Sequence, residues 1–152
     1  MSGVEAMYQE IILDHYREKH HAGLREPYDV AVSHVNPSCG DELDLRLTRD
    51  GDTIVDVSYT GVGCSISQAS TSIMTDLVIG GTAEQALRLY DGFVAMLESQ
   101  GNIELDEVVY GDAIAFNGVA QFPARVKCAL LGWSALKDAI VRTEAGKEAD
   151  GD

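Results

Sequence analysis

Apolar positions along the chain follow two periods. Val4, Tyr8, Ile11, Ile12 and His15 fall at helical spacing and predict an amphipathic helix over residues 4–19. Residues 20–27, with Gly23, read as a loop. The period then drops to two. Residues 30–35 form a predicted strand stopped by Asn36-Pro37. Leu43, Leu45 and Leu47 alternate with Asp44, Arg46 and Thr48, as a half-buried strand requires. Asp50-Gly51 is a tight-turn signal, and residues 53–59 return with Val55, Val57 and Tyr59 on one face. The front half therefore predicts a three-stranded antiparallel sheet.

The second half has helical spacing. Ile66, Ala69, Ser70, Ile73 and Leu77 keep one face until Gly80-Gly81 ends the pattern. Thr82 with Gln85 is a capping-box signature, and the helix it opens carries Ala86, Leu87, Tyr90, Phe93, Val94 and Leu97. Residues 101–121 have no clear period; a short helix near residues 105–110 and a Gly-containing loop are expected. Pro123 suits the first turn of a last helix over 123–142. On it Val126, Leu130, Trp133 and Ile140 share one side. Cys128, Leu131, Gly132, Ala135 and Ala139 make a second, smaller apolar side. Something must pack closely against that side.

Composition narrows the class. At 152 residues the chain reads as one domain, over 1–142, with a polar and frayed tail over 143–152. Hydrophobic content of 45% and charge of 24% are ordinary for a soluble globular protein. The net charge of −14 is not, and it argues against nucleic acid and anionic membrane as partners. It fits a cytoplasmic protein that docks to a basic surface. The first apolar cluster is short and runs into Asp14, Arg17, Glu18 and Lys19, unlike a signal peptide. No apolar run is long enough to span a bilayer.

Cys39, Cys64 and Cys128 are the three cysteines of the chain. An odd count without a secretory signal argues for a metal or reactive-thiol role rather than a disulfide framework. Three thiols with the carboxylate of Asp41 make a four-ligand set of the kind a tetrahedral zinc ion takes. Cys64 follows Gly61-Val62-Gly63 at a predicted helix N-terminus, where exposed amides stabilise a thiolate. Cys39 lies in a Pro/Gly turn beside Gly40, where backbone rotation costs little. It is thus the thiol of the three that would leave a metal most readily. Three thiolates and a carboxylate outweigh a divalent ion, so the centre favours nearby cations, and Arg125 and Lys127 flank Cys128. Each residue also has a plainer reading: Cys128 as core filler, Asp41 as a turn residue, Arg125 as a solvated helix position or a surface salt bridge. The four histidines are poor ligand candidates by spacing: His20-His21 in a loop, His15 half-buried on a helix, His34 in strand alternation.

Asn36-Pro37-Ser38-Cys39-Gly40-Asp41, the block from Gly61 to Ser70, and Arg125-Val126-Lys127-Cys128 together resemble the SufU/IscU family over almost the whole chain. The SufU branch is the better match. IscU-type members place a histidine directly before the third cysteine, where this chain has Lys127, and the long segment between Cys64 and Cys128 resembles the SufU insertion. The resemblance implies an α+β fold, a small three-stranded antiparallel sheet packed against several helices. It implies zinc held by Cys39, Asp41, Cys64 and Cys128. It also implies a zinc-dependent sulfurtransferase that works with a SufS-type cysteine desulfurase and with downstream iron–sulfur assembly proteins. In that family a histidine of the partner takes a zinc position and releases the acceptor thiol, which matches Cys39. The alternatives are an IscU-like scaffold building an iron–sulfur cluster on the same cysteines, and a protein whose zinc is only structural.

Overall fold

The computed structural model describes the backbone of residues 3–38 and 40–150 and the side chains of residues 5–38 and 40–144. Helix α1 spans Gly3–Glu18. Strands β1 (Val30–Asn36), β2 (Asp41–Asp50) and β3 (Thr53–Val62) form one antiparallel sheet in the order β1-β2-β3. Helices α2 (Ser65–Val78), α3 (Ala83–Glu98), α4 (Glu107–Tyr110) and α5 (Pro123–Asp150) follow, with a 3-10 helix over Gly111–Gln121 between the last two. The expected α+β arrangement is present.

The strand alternation holds in β2, where Leu43, Leu45 and Leu47 are buried. In β3 it breaks. Thr48 pairs with Asp56 and Arg49 with Ile54, so Val55 is the extra residue of a bulge. Val57 and Tyr59 face inward as expected, but the bulge turns Val55 out to 50% exposure and puts Ile54 in the core. β3 also runs further than expected, to Val62, so Gly61 belongs to the strand. A Cβ on Gly61 would strike the carbonyl oxygen of Glu42 on β2.

The inner face of the sheet packs on α5, which packs in turn on α2, and α2 on α1. The small side of α5 is where α2 comes close. A Cβ on Gly132 would collide with Thr71, and Ser70 Oγ donates to the Ala129 carbonyl at 2.6 Å. Residues 67–75 of α2 are buried without a break, so the helix is interior on every side rather than on one stripe. Phe93 stacks on Trp133 with centroids 4.6 Å apart, tying α3 to the other side of α5.

The capping box at Thr82 and Gln85 forms as predicted. The short helix expected near residues 105–110 is α4, capped by Asp106, whose carboxylate accepts from the Val108 N–H at 3.0 Å. The expected loop after it is the 3-10 helix, which buries Ala113, Ile114, Phe116 and Val119. Its three-residue turn leaves no 3.6-residue pattern to read. The backbone of α5 continues past residue 142 to Asp150. The added stretch carries Glu, Ala and Lys, which are good helix formers.

Candidate metal centre

The cysteine reading meets the fold at the end of the sheet. Asp41 opens β2 with its side chain inward and fully buried. Beyond β3 the chain passes Gly63 to Cys64, the N-cap of α2, which has extended backbone and no side-chain cap. Asp41 ties down the start of the helix instead: its Oδ1 accepts the backbone N–H of Cys64 at 3.0 Å. Its Oδ2 lies 3.9 Å from the Cys64 sulfur, and Ser67 Oγ lies 3.9 Å from the same sulfur. Cys128 reaches this point from α5, its thiol turned back toward the Ala124 carbonyl at 3.8 Å. Ligand atoms of Asp41, Cys64 and Cys128 all lie within 4.8 Å of one another.

Gly63 makes this approach possible. A Cβ there would sit 2.6 Å from Asp41 Oδ1 and 2.6 Å from Ser67 Oγ. Asp41 and Cys128 are buried while Cys64 is exposed, so the group has one open side.

The donor set suits zinc. Bond lengths of a tetrahedral site place its sulfur and oxygen ligands about 3.5–3.8 Å apart, a small contraction from the spacing here. Among the described residues no Lys, Arg or His pairs with the Asp41 carboxylate, and a buried anion needs a positive partner. Cys39 lies outside the described residues. On its flanks, Gly40 takes a left-handed φ of 70°, and the Ser38 N–H donates to Asn36 Oδ1 at 3.2 Å.

Arg125 is exposed on the first turn of α5, its guanidinium 5.3 Å from the Phe122 ring centroid. It makes no ion pair with a carboxylate of the described residues. With Ser65, Ile66, Tyr8, Ile12 and Phe122 it lines a groove of about 500 Å³ that begins one residue beyond Cys64. Lys127 is exposed on the same helix. The position of Ser67 three residues into α2 from Cys64 is what brings it to the sulfur. A second group, His15, His20 and Asp76, also converges, although spacing makes the histidines look unrelated.

Comparison with known proteins bears on this site. The description of the NifU-like N terminal domain matches residues 7–129. The chain is 43% identical to the iron-sulfur cluster assembly scaffold protein IscU of Streptococcus pyogenes serotype M1, over 94% of this chain and 88% of that protein. It is 38% identical to the zinc-dependent sulfurtransferase SufU of Bacillus subtilis, over 95% of this chain and 97% of that one. The crystal structure of a protein from Fervidobacterium islandicum AW-1 named as an iron-sulfur cluster assembly scaffold protein for the SUF system, SufU, superposes with a TM-score of 0.81 at 40% identity, covering 91% of this chain and 99% of that one. The N-terminal part of a NifU-like protein from Brucella abortus gives 0.83 at 25% identity, covering 95% and 99%.

Proposed function

Since the chain belongs to the NifU-like N-terminal domain family, the family of SufU and IscU, we propose that it is a zinc-dependent sulfurtransferase of iron–sulfur cluster biogenesis. Its sulfur donor is a SufS-type cysteine desulfurase, and its acceptors are downstream assembly proteins. The observation that carries the reading is the convergence of a buried carboxylate, a buried thiol and an exposed thiol at the mouth of the sheet. Cys39 is the proposed fourth ligand. The proposed compartment is the cytoplasm, where thiols stay reduced.

Zinc bound there keeps its thiols deprotonated and damps their nucleophilicity. The residues of the chain do the rest. The Asp41 carboxylate fixes the Cys64 amide, and with it the start of α2. Cys64 and Cys128 are held at a helix start and on a packed helix, which leaves Cys39 as the proposed acceptor thiol. Its thiolate attacks the outer sulfur of the desulfurase persulfide. The S–S bond of the donor breaks, the donor cysteine leaves as thiolate, and Cys39 carries the new persulfide. One S–S bond replaces another, so no oxidant or reductant is consumed. Arg125, exposed at the same end of α5, steadies the anionic persulfide.

The second reading, an IscU-like scaffold carrying an iron–sulfur cluster on the same cysteines, draws on the names of the Streptococcus and Fervidobacterium relatives. Lys127 in the position before Cys128 favours the transferase. Metal content and visible spectrum of freshly purified protein separate the two. One colourless zinc per chain supports the transferase, and a brown protein with iron and sulfide supports the scaffold. Mapping persulfide after reaction with desulfurase and cysteine tests the acceptor: label is expected on Cys39. Label mainly on Cys64 or Cys128, with Cys39→Ser still active, overturns the assignment.

A further inference from the structure

Away from the cysteines, α1, the loop after it and α2 bring imidazoles and carboxylates into one cluster. Asp76 lies near the far end of α2 from Cys64, roughly 18 Å along the helix by its rise per residue. His15 is 4% exposed, with Nδ1 2.8 Å from Ser72 Oγ and Nε2 2.9 Å from Asp112 Oδ2. His20 has Nδ1 2.6 Å from Asp76 Oδ2 and Nε2 2.8 Å from Glu18 Oε2. The two rings stand 4.6 Å apart. His21 reaches the other Asp76 oxygen at 3.4 Å and Thr75 Oγ1 at 3.0 Å. Left-handed backbone at Lys19 and His21, φ 47° and 63°, folds the loop back onto α2. The His20 N–H, bound to Ser72 Oγ at 2.9 Å, pins it there.

The charges do not balance. Glu18, Asp76 and Asp112 are three carboxylates, and among the described residues their ion-pair partners are histidines. The nearby cations are engaged elsewhere. Arg25 grips Asp56 through two bonds of 2.9 Å, Arg17 leans on Asp14 at 3.8 Å, and Lys19 sits over the Tyr16 ring. Tyr59 closes the cluster from the sheet side; burial pushes its phenol up to about 12, so it stays neutral. Protonated imidazole or a bound cation is what would offset these partly exposed carboxylates.

We propose that His15, His20 and Asp76 form a second site for a divalent transition metal of the zinc class, with Glu18 beside the open position. One ligand atom from each of the three lies within 4.8 Å of the others. Two imidazoles and a carboxylate are a donor set that zinc, cobalt and nickel accept. Ser72 and Asp112 orient the His15 ring from its two nitrogens, and a metal would displace a proton that the ring now shares with one of them. His20 is held above its ordinary value by Glu18 and then by Asp76, so protons compete with the metal. The site stands independently of the cysteine centre.

The test is a cobalt titration of reduced, chelator-stripped protein, read by absorption. Two equivalents are expected. One gives intense near-ultraviolet charge-transfer bands from thiolate. The other gives only weak visible ligand-field bands. The His20→Ala, Asp76→Asn double variant is expected to keep the first and to bind the second at least tenfold more weakly. Both positions are on the surface, and circular dichroism checks that the fold is kept. Absence of the ligand-field-only equivalent from the unaltered protein overturns the proposal. So does a second equivalent that survives in the double variant or that adds thiolate bands. Failure of the cysteine centre reads differently: the charge-transfer bands vanish while the ligand-field equivalent remains.

Discussion

Asp41 Oδ1 accepts the backbone N–H of Cys64 at 3.0 Å, so a carboxylate at the start of β2 caps the helix that follows β3. The bond spans the sheet-to-helix junction and leaves the second carboxylate oxygen facing sulfur. A single buried side chain thus serves both as helix cap and as proposed ligand. Replacing it should have two separable effects. Asp41→Ala should cost metal-free protein about 1–3 kcal/mol, because the partly buried Cys64 N–H loses its acceptor. It should also weaken zinc binding. Melting curves taken with and without a strong chelator check this: the variant should melt lower in both, with a smaller gap between them.

Gly132→Ala should destabilise the protein by about 1–3 kcal/mol through overpacking, since the new Cβ meets Thr71 on α2. Thr71→Ala alone should cost less, and the double variant should recover part of the loss. A denaturant double-mutant cycle reads the coupling. Strictly additive costs would mean that the two helices separate freely at this point.

Arg125→Ala should slow persulfide transfer several-fold without lowering the melting temperature or the zinc content, because the side chain is exposed and forms no ion pair with a described carboxylate. Single-turnover transfer from the loaded desulfurase gives the rate. An Arg125→Lys variant, which keeps the charge, should recover most of it. Equal rates for all three proteins would remove Arg125 from the mechanism.

Asp56 gives a pH signature far from the metal centre. The two bonds from Arg25 hold its carboxyl below the usual carboxylate range, burial opposing and the Arg25 and His21 charges assisting. A carboxyl depressed in the folded state adds stability that is complete above its unfolded value and is lost as pH falls through its folded value. Asp56→Asn should therefore lower stability at neutral pH, and the difference should close on the acid side. Urea midpoints measured from neutral to acid pH check the direction.

Net charge of −14 predicts that association with the proposed desulfurase partner is electrostatically steered and slows with added salt. Stopped-flow on-rates across ionic strength test it. A flat profile would point to contact through neutral surface alone.

Much of this molecule is legible in its sequence because the governing forces are local. The alternation of Leu43, Leu45 and Leu47, the turn at Asp50-Gly51 and the cap at Thr82 and Gln85 act between neighbours a few residues apart. The paired apolar sides of α5 likewise announced a close neighbour for Gly132. The 3-10 helix escaped because its period is not that of an α-helix, and Val55 was assigned to the wrong face because a bulge depends on cross-strand pairing. The cysteines could be grouped from their local contexts, but no spacing between residues 41, 64 and 128 says that the side chains meet. That follows from β2 and β3 pairing in register and from α2 pressing on α5 at Thr71 and Gly132. The histidines show the limit most plainly. His15, His20 and Asp76 are far apart along the chain, and only the folding of α1 and its loop onto α2 places their donor atoms together. Such contacts are decided by packing of distant elements, which a one-dimensional pattern does not encode.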